Sequence, residues 1–458
     1  MPDHAQTPYN ATPMLTSRAS LHTLGCRLNQ AETSILGEGL RRKGFELVEF
    51  GQPTDLLVLN TCAVTEDAER TSRYLIRKTL KHSPHAFIAV TGCYAQTGME
   101  TLKQQAGIDL IVGHQFKLEL PAYLPAAHEL RKRSVTEIHH TKTISRGDFD
   151  LPHFAEPDST RALLKIQDGC NAMCSFCIIP FARGHERSRQ FEDIVREAES
   201  LTDRGYREIV LTGVNIGQYT QQGLDFCALL RQLERVTNLK RLRISSIEPT
   251  TVTDELLDLL ASSKKFCPYL HIPLQSGDDT ILEAMNRRHT VKTFGKLIET
   301  ALAKIPGLGL GTDLMVGFPG ETESAFQNTV AIATDLPFSY LHVFPYSPRP
   351  GTAALRIKQQ VSSAIAKNRT DILLNLDRAK RLVFHNGQIG KTLPVLFESG
   401  GKDSHRFGTT PNFTKVAVTG TKDLRNQIMP VTITAATDRC TFGHIAPTQP
   451  RHTAMAIL

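Results

Sequence analysis

Three cysteines lie close together in the stretch GCNAMCSFC, at Cys170, Cys174 and Cys177. Their spacing is C-x3-C-x2-C, and no nearby Cys or His completes the pattern of a zinc knuckle. Structural zinc normally takes four protein ligands, whereas a [4Fe–4S] cluster needs several thiolates clustered together. The pattern therefore favours an iron–sulfur cluster bound through three cysteines, which leaves one iron open to a small chelating ligand. Zinc is the alternative.

Three further cysteines each follow an apolar stretch and open a helical one. They are Cys26 in TLGCRLNQAET, Cys62 in LNTCAVT and Cys93 in TGCYAQ, with 35 and 30 residues between them. The carboxyl ends of parallel strands share one edge of a sheet, so one β/α turn each would bring the three thiols together. Helix N-termini also favour the thiolate form. We predict a second three-cysteine cluster at this edge; three unrelated core cysteines are the alternative.

The composition is that of an ordinary globular protein, with 40% hydrophobic and 22% charged residues in a chain of 458. This length predicts about two to four domains. No apolar run reaches the ~18 residues of a membrane helix, and the N-terminus lacks the apolar core of a signal peptide. Nine cysteines without such a signal indicate a reducing compartment, so we expect a cytoplasmic protein. Cys227, Cys267 and Cys440 stand alone and are interpreted as packing residues.

Short apolar runs alternate with helical patterns along most of the chain. Between residues 20 and 125 the strand candidates are 21–25, 56–60, 87–92 and 109–113, which predicts a parallel α/β domain. From residue 161 the candidates are 162–167, 208–213, 242–246, 269–274, 310–317 and 340–346. Six β/α units in sequence indicate a barrel or partial barrel, with its active site at the carboxyl ends of the strands. Cys170 follows the first of these strands directly.

The last part of the chain loses the helical period and reads as a small all-β module of OB-like size. From His385 onward it contains eight Lys or Arg against four Asp or Glu, so it carries more than half of the chain's net charge of +7. Arg70, Arg73, Arg77 and Lys81 form a further basic stripe at helical spacing. Such patches can neutralise RNA phosphates, although a stripe of this kind is often only solvated surface.

The cysteine loop resembles that of the radical S-adenosylmethionine enzymes. The resemblance implies that S-adenosylmethionine chelates the open iron and is cleaved to a 5′-deoxyadenosyl radical, and Phe176 matches the aromatic residue placed against its adenine. The stretches LGCRLNQAET, NTCAVT and GCYAQ look like the N-terminal domain of the methylthiotransferases within that family. TGVNIGQY, HIPLQSGDDTILEAMNRRHT, GTDLMVGFPGETE and HVFPYSPRPGTAA look like further signatures of it.

This resemblance implies a domain order: an N-terminal methylthiotransferase domain (18–127), a linker (128–160), a radical S-adenosylmethionine domain with a partial (β/α)6 barrel (161–382) and a TRAM module that binds RNA (385–450). It implies two [4Fe–4S] clusters, one on Cys170, Cys174 and Cys177 and an auxiliary one on Cys26, Cys62 and Cys93. The residues that it places against S-adenosylmethionine are Phe176, Asn215, Ser246, Gln275 and Asp313.

The same resemblance implies a reaction: hydrogen is abstracted from an unactivated carbon, which is then joined to sulfur and methylated. LRISSIEP and GCRLNQ are similar to the branch that acts on C2 of N6-threonylcarbamoyladenosine at position 37 of tRNA. Sister branches act on N6-isopentenyladenosine or on a ribosomal-protein aspartate and are the closest alternatives. A non-catalytic iron–sulfur RNA-binding protein is an alternative of another class. The implied partners are the tRNA anticodon loop, an electron donor such as flavodoxin or ferredoxin, and a sulfur donor.

Overall fold

The computed structural model describes residues 17–147, 149, 151, 160–398, 404–420 and 422–447. The chain divides into two compact units, one comprising residues 1–63 and 67–144 and the other residues 64–66 and 145–458. No helix in the described ranges combines the length and apolarity needed to cross a membrane. Residues 148, 150 and 152–159 of the predicted linker and the end of the predicted TRAM module, residues 448–450, lie outside the described residues.

The first unit contains one parallel sheet with helices packed against it. Its strands are β1 (Arg18–Thr23), β2 (Glu46–Val48), β3 (Leu56–Thr61), β4 (Phe87–Gly92), β5 (Leu110–Val112) and β6 (Glu137–His139). Its helices are α1 (Arg27–Arg42), α2 (Glu66–His82), α3 (Cys93–Thr97), α4 (Met99–Lys103) and α5 (Leu120–Tyr123). The strand order is β2-β1-β3-β4-β5-β6. The parallel α/β domain predicted from the sequence is therefore confirmed.

The centre of this sheet is buried on both faces, which explains why β3 and β4 read as continuous apolar runs. β3 and β4 pair in register from Leu56↔Phe87 to Thr61↔Gly92. The short strand β6 pairs with β5 at the edge of the sheet and lies inside the range 128–160 that the sequence predicts to be a linker. Its three residues are only partly buried, so they lack the apolar run that marks the other strands.

The second unit begins with six β/α repeats. The parallel strands are β7 (Arg161–Lys165), β10 (Glu208–Thr212), β13 (Arg241–Ile244), β14 (Tyr269–His271), β15 (Gly309–Val316) and β16 (Tyr340–Pro345). Short strands between them are β8 (Gln167–Asp168), β9 (Arg187–Ser188), β11 (Thr220–Gln221) and β12 (Leu224–Asp225). The helices are α6 (Ile179–Arg183), α7 (Phe191–Asp203), α8 (Phe226–Glu234), α9 (Asp254–Ser262), α10 (Asp279–Ala284), α11 (Val291–Lys304), α12 (Glu323–Asp335) and α13 (Ser363–Asn386).

The six parallel strands of these repeats form an open barrel. β7, β10 and β13 pair in parallel, as do β14, β15 and β16, and a bridge from Ser246 to His271 joins the two halves. Within the described part of the chain, no pairing joins β16 back to β7. Apolar side chains from the strands and from the helices around them make one continuous core. The predicted partial (β/α)6 barrel is confirmed.

A closed five-stranded barrel follows α13. Its strands are β17 (Thr392–Phe397), β18 (His405–Thr409), β19 (Lys415–Thr419), β20 (Ile428–Ala436) and β21 (Thr441–Ile445), in the order β17-β18-β19-β21-β20. A small core of valine, leucine, isoleucine and phenylalanine side chains fills it. The small β-barrel predicted for the end of the chain is confirmed.

Two buried arginines on β13 fasten this small barrel to the open one. Arg243 pairs with Glu208 through a 2.7 Å Nε–Oε1 contact and donates hydrogen bonds to the carbonyl oxygens of Pro411 and Thr410. Arg241 donates to the carbonyl oxygens of Thr409 and Pro394. Burial alone would raise the pKa of Glu208, but the Arg243 charge holds that pKa below its usual range. The small barrel is therefore fixed through charge-assisted hydrogen bonds to backbone carbonyl groups.

Candidate active site

Backbone hydrogen bonds shape the loop that contains Cys170, Cys174 and Cys177. The loop leaves β8 at the carboxyl end of the barrel, where the Cys170 N–H donates to the Gly184 carbonyl at 3.1 Å. The Cys177 N–H donates to the Cys174 carbonyl at 3.0 Å, which makes a tight turn between these two cysteines. All three cysteines are partly exposed. The loop thus holds three sulfurs at the catalytic end of the barrel, as the sequence predicts.

A buried carboxylate anchors the start of this loop. Asp168 is 1% exposed and accepts hydrogen bonds from Lys165 Nζ at 2.7 Å, Arg183 Nη1 at 2.9 Å and the Gly169 N–H at 2.9 Å. Two cations fix the position of the Asp168 carboxylate, and this carboxylate in turn binds the Gly169 N–H. The direction in which the chain leaves β8 is therefore fixed. Gly169 has a φ of +71°, and a Cβ there would lie 1.9 Å from the His185 carbonyl oxygen.

Two buried arginines that follow the cysteine loop, at the two ends of the stretch RGHERSR, form ion pairs within the protein. Arg183 pairs with Asp168, and the fully buried Arg189 pairs with Asp193 and Glu197. The spacing of Arg189 and Asp193, four residues apart, was the available sequence signal.

The environment of the loop fits a polynuclear cluster. Burial raises the pKa of Cys170 and raises that of Cys177 to about 12, and the neighbouring thiols add to both shifts. Such thiols become thiolates when a metal centre compensates the charge, so binding releases protons. Three thiols on one short loop, without a fourth Cys or His at knuckle spacing, are the donor set of a [4Fe–4S] cluster with one open iron.

The other three predicted cysteines lie at the carboxyl ends of three neighbouring strands in the first unit. Cys26 precedes α1 after β1, Cys62 follows β3, and Cys93 opens α3 after β4. β1, β3 and β4 are adjacent and parallel, with Thr23 opposite Asn60 and Thr61 opposite Gly92. Adjacent strands are about 4.8 Å apart. The structure therefore brings the three cysteines together at one sheet edge, with Cys26 exposed and the other two buried.

Polar side chains connect the three loops that contain these cysteines. Asn29 Nδ2 donates to the carbonyl oxygens of Leu24 (2.8 Å) and Thr61 (3.0 Å). Asn60 Nδ2 returns a bond to the Asn29 carbonyl at 2.9 Å, and the Ala95 N–H donates to Thr61 Oγ1 at 3.2 Å. These amides appear in the sequence as the N of CRLNQ and of LNTC, but their bonding was not predicted. They fix the relative positions of the three thiols.

Two of the residues proposed to contact S-adenosylmethionine have unused hydrogen-bonding capacity. Asn215, just after β10, and Gln275, after β14, are 6% and 8% exposed. The side-chain oxygens Asn215 Oδ1 and Gln275 Oε1 have no hydrogen-bond partner among the described residues. Buried amide oxygens without partners are costly, so these positions suit a polar ligand. Phe176 packs beside Phe318 with ring centroids 6.4 Å apart, at the edge of a small apolar cluster.

Asp313 and Ser246 have different surroundings. Asp313 on β15 accepts hydrogen bonds from His342 Nδ1 at 2.7 Å and His271 Nε2 at 3.1 Å. Burial would raise the pKa of Asp313, but these two histidines hold it well below its usual range. The histidines are thus hydrogen-bonded strand residues. Ser246 is exposed and lies at the bridge between the two halves of the barrel.

A polar cavity of about 150 Å³ lies beside the cysteine loop. It is lined by Asn171, Ala172, Cys174, Glu186, Asn215, Gln218, Glu248, Thr250, Asn286, Arg287, Arg288 and His289. Apart from Ala172 and Cys174, each of these residues has an amide, hydroxyl, imidazole or charged group. Burial, with the neighbouring Arg287 charge, lowers the pKa of His289 to about 4, so this imidazole is neutral near pH 7. The cavity is suited to a polar ligand next to the cluster loop.

Arg287 connects this cavity to the cluster loop. Its Nη1 lies 3.4 Å from Cys174 Sγ and 3.2 Å from Glu248 Oε1, and its Nη2 contacts Glu248 Oε2. The Arg287 side chain is only 4% exposed. Glu248 and Arg287 lie in the stretches SSIEP and MNRRHT, which are family signatures, and nothing in the sequence indicates that they pair. The two residues are 39 positions apart, and only the folded barrel brings them together.

Family comparisons agree with this geometry. Residues 164–333 match the Radical SAM superfamily, and residues 18–113 match an uncharacterized protein family, UPF0004. The open barrel and its three-cysteine loop thus define a protein of the radical S-adenosylmethionine class.

Relatives match along almost the whole chain. A threonylcarbamoyladenosine tRNA methylthiotransferase MtaB from Bacillus subtilis is 39% identical over 426 residues, which cover 91% of this chain and 94% of the relative. The Aquifex aeolicus protein of the same name is 38% identical over 83% of this chain and 92% of its own. A tRNA-2-methylthio-N(6)-dimethylallyladenosine synthase from Jannaschia sp. is 33% identical over 96% of both chains. The chain belongs to the tRNA methylthiotransferase family, as its sequence signatures predict.

Among solved structures, the radical S-adenosylmethionine methyltransferase TsrM from Kitasatospora setae matches with a TM-score of 0.54 and 16% identity. The match covers 74% of this chain and 77% of TsrM. At this identity the likeness supports the fold alone.

Proposed function

We propose that this protein is a tRNA methylthiotransferase that adds sulfur and a methyl group at C2 of N6-threonylcarbamoyladenosine 37. The relatives with 39% and 38% identity have names that specify this nucleoside, whereas a relative at 33% identity is named for the dimethylallyl nucleoside. Both nucleosides are therefore candidates on family grounds, and the cavity beside the cluster loop is the observation that favours the first.

The polarity of this cavity supports the threonylcarbamoyl substrate. A dimethylallyl group is wholly apolar and offers no hydrogen-bond partner to the lining amides and charges. A threonylcarbamoyl group has a carboxylate, a hydroxyl and a ureido group, each of which hydrogen-bonds. The charged side chains of Glu186 and Arg288 in the lining therefore match the more polar nucleoside.

In this proposal Cys170, Cys174 and Cys177 hold one [4Fe–4S] cluster and Cys26, Cys62 and Cys93 hold an auxiliary one. When bound, the first cluster with S-adenosylmethionine would supply a carbon radical that removes hydrogen from C2, and the second would supply sulfur. The chain itself contributes the three-thiolate loop fixed by Asp168 and the free amide oxygens of Asn215 and Gln275 for S-adenosylmethionine. A flavodoxin or ferredoxin would provide electrons, and the tRNA substrate would place the enzyme in the cytoplasm.

A nucleoside assay tests the reaction. Anaerobically reconstituted protein would be incubated with S-adenosylmethionine, dithionite and tRNA bearing either threonylcarbamoyladenosine or dimethylallyladenosine, and the nucleosides analysed by mass spectrometry. We expect the 2-methylthio derivative of the first nucleoside together with 5′-deoxyadenosine. A methylthio product from dimethylallyladenosine alone would show that the protein has the sister activity, with that nucleoside as its substrate. Absence of 5′-deoxyadenosine would favour a non-catalytic RNA-binding protein.

Cysteine variants separate the two predicted sites. We expect Cys62→Ala to form 5′-deoxyadenosine but no methylthio nucleoside, because the radical site is intact and the sulfur site is lost. Cys170→Ala is expected to form neither product. Cys440→Ala, a partly exposed cysteine outside both groups, is the control and should behave as wild type. Unimpaired methylthiolation by Cys62→Ala would contradict the role assigned to the auxiliary site.

A further inference from the structure

Two neighbouring arginines in the cavity beside Cys174 differ in their bonding. Arg287 is almost fully buried, and the two carboxylate oxygens of Glu248 accept hydrogen bonds from its Nη1 and Nη2. Its Nη1 also contacts Cys174 Sγ. Both Nη groups of Arg287 are engaged, so only its buried Nε–H, which has no partner among the described residues, remains for an incoming anion. Arg287 is therefore a structural cation of the cavity wall.

Arg288 lines the same cavity but is exposed, and it forms no ion pair with any residue in the described ranges. Glu248 is neutralised by Arg287, so it does not compete strongly for Arg288. A free guanidinium presents a planar fork of N–H donors that matches a carboxylate in a bidentate arrangement. The cavity therefore offers one uncommitted cation next to the loop where the reaction would take place.

We propose that Arg288 binds the carboxylate of the threonylcarbamoyl substituent and so forms a specificity subsite for the acidic adenosine. This inference rests on the proposed function, because that nucleoside supplies the anion. The second uncompensated charge in the lining is Glu186, which has no side-chain ion pair among the described residues. Its carboxylate can accept hydrogen bonds from the hydroxyl or ureido N–H of the same substituent. A cation and an acceptor in one cavity match a substituent that contains both an anion and donors.

The test compares Arg288→Gln with wild type on matched anticodon stem-loops. One stem-loop contains threonylcarbamoyladenosine, the second contains its neutral carboxamide analogue, and the third contains unmodified adenosine. Arg235→Gln is the matched control, since Arg235 is an exposed arginine at the end of α8, outside this cavity. Dissociation constants are measured by fluorescence anisotropy, and KM and kcat by product formation.

We expect Arg288→Gln to weaken binding and raise KM for the acidic stem-loop about 10- to 100-fold, which corresponds to one charged hydrogen-bonding contact. At saturating RNA, kcat should change little. Binding of the carboxamide and of the unmodified stem-loop should be the same in the variant and in wild type. Arg235→Gln should match wild type in all of these measurements. Arg288→Gln and wild type should form 5′-deoxyadenosine equally well without RNA.

Three results would overturn the subsite. Equal affinity of wild type for the acid and the carboxamide would show that the charge is not recognised. An equal loss of affinity for all three stem-loops would make Arg288 a phosphate contact. A loss of S-adenosylmethionine cleavage without RNA would assign Arg288 to the methionyl carboxylate. Failure of wild type to methylthiolate the acidic nucleoside would instead contradict the proposed function, and the binding comparison would still test the subsite.

Discussion

At the scale of single residues, buried arginine is the feature that the sequence does not reveal. Arg183, Arg189 and Arg243 are each no more than 1% exposed, although arginine is rarely buried unless it is paired. Their partners become visible only in the fold, except for Asp193, which follows Arg189 at helical spacing. The cysteine loop could be singled out in the sequence because three thiols at this spacing are typical of a metal centre, and its role as a cluster site stays a prediction. Arginine occurs at surfaces, in ion pairs and in binding sites alike, so its role could not be assigned from the sequence.

Arg243 gives a residue-scale prediction. Arg243→Leu would leave the buried Glu208 without its closest cation and free the carbonyl groups of Thr410 and Pro411, so we expect a loss of about 3–5 kcal/mol in the free energy of unfolding. Urea unfolding followed by circular dichroism measures it. Arg231→Leu is the control, because Arg231 and Glu255 form an ion pair in which both side chains are about half exposed. That change should cost much less, because an exposed ion pair is screened by solvent. Equal losses would contradict the structural role of Arg243.

At the scale of elements, the β-strands that consist of an apolar run could be located from the sequence. The strands of mixed polarity could not. β3, β4 and the six barrel strands were all visible in the sequence. The short edge strands β2 and β6 were not, since ELV and EIH are mixed in polarity and take their shape from the neighbouring strand. The cysteines were placed correctly because their position depends only on strand direction, which the alternation of strands and helices already implies.

The turn into the radical loop gives the first element-scale prediction. Gly169→Ala would place a Cβ 1.9 Å from the His185 carbonyl oxygen, so the loop must move and the three-thiolate arrangement should fail. We expect the variant to lose the cluster of that loop, about half of the bound iron, after anaerobic reconstitution. Gly223→Ala is matched, because Gly223 also has a positive φ (+81°) but nothing within 4 Å of the added Cβ. Gly223→Ala should keep its full iron content. If Gly169→Ala also kept its iron, the cluster loop would not require glycine at position 169.

The corresponding turn in the first unit gives a second such prediction. A Cβ at Gly92 would lie 2.4 Å from the Thr61 carbonyl oxygen, directly before Cys93, so Gly92→Ala should displace that thiol. We expect the variant to form 5′-deoxyadenosine but to lose methylthiolation. Gly51→Ala, at a φ of +101° with open space around the Cβ, controls for backbone strain and should remain active. Normal methylthiolation by Gly92→Ala would argue against an auxiliary site at this edge.

At the scale of the whole molecule, the chain combines two units, each with cysteines at the carboxyl ends of parallel strands. The sequence predicted this duplication, because both groups follow apolar strands. The sequence also predicted the C-terminal β-barrel, and in the structure this barrel shares a compact unit with the open barrel and is held by Arg241 and Arg243. That attachment could not be predicted, because the acceptors are backbone carbonyl groups. Every residue has such a group, so no residue type in the sequence marks the contact.

The number of iron–sulfur clusters per chain tests whether each of the two groups of three cysteines binds one. We would measure iron and acid-labile sulfide in anaerobically reconstituted protein and in a variant with alanine at Cys26, Cys62 and Cys93, with Mössbauer spectra to identify the cluster type. We expect about eight iron and eight sulfide per chain in wild type, as two [4Fe–4S] clusters, and about four of each in the variant. Wild-type protein that binds only four iron atoms, with no change in the variant, would contradict this expectation.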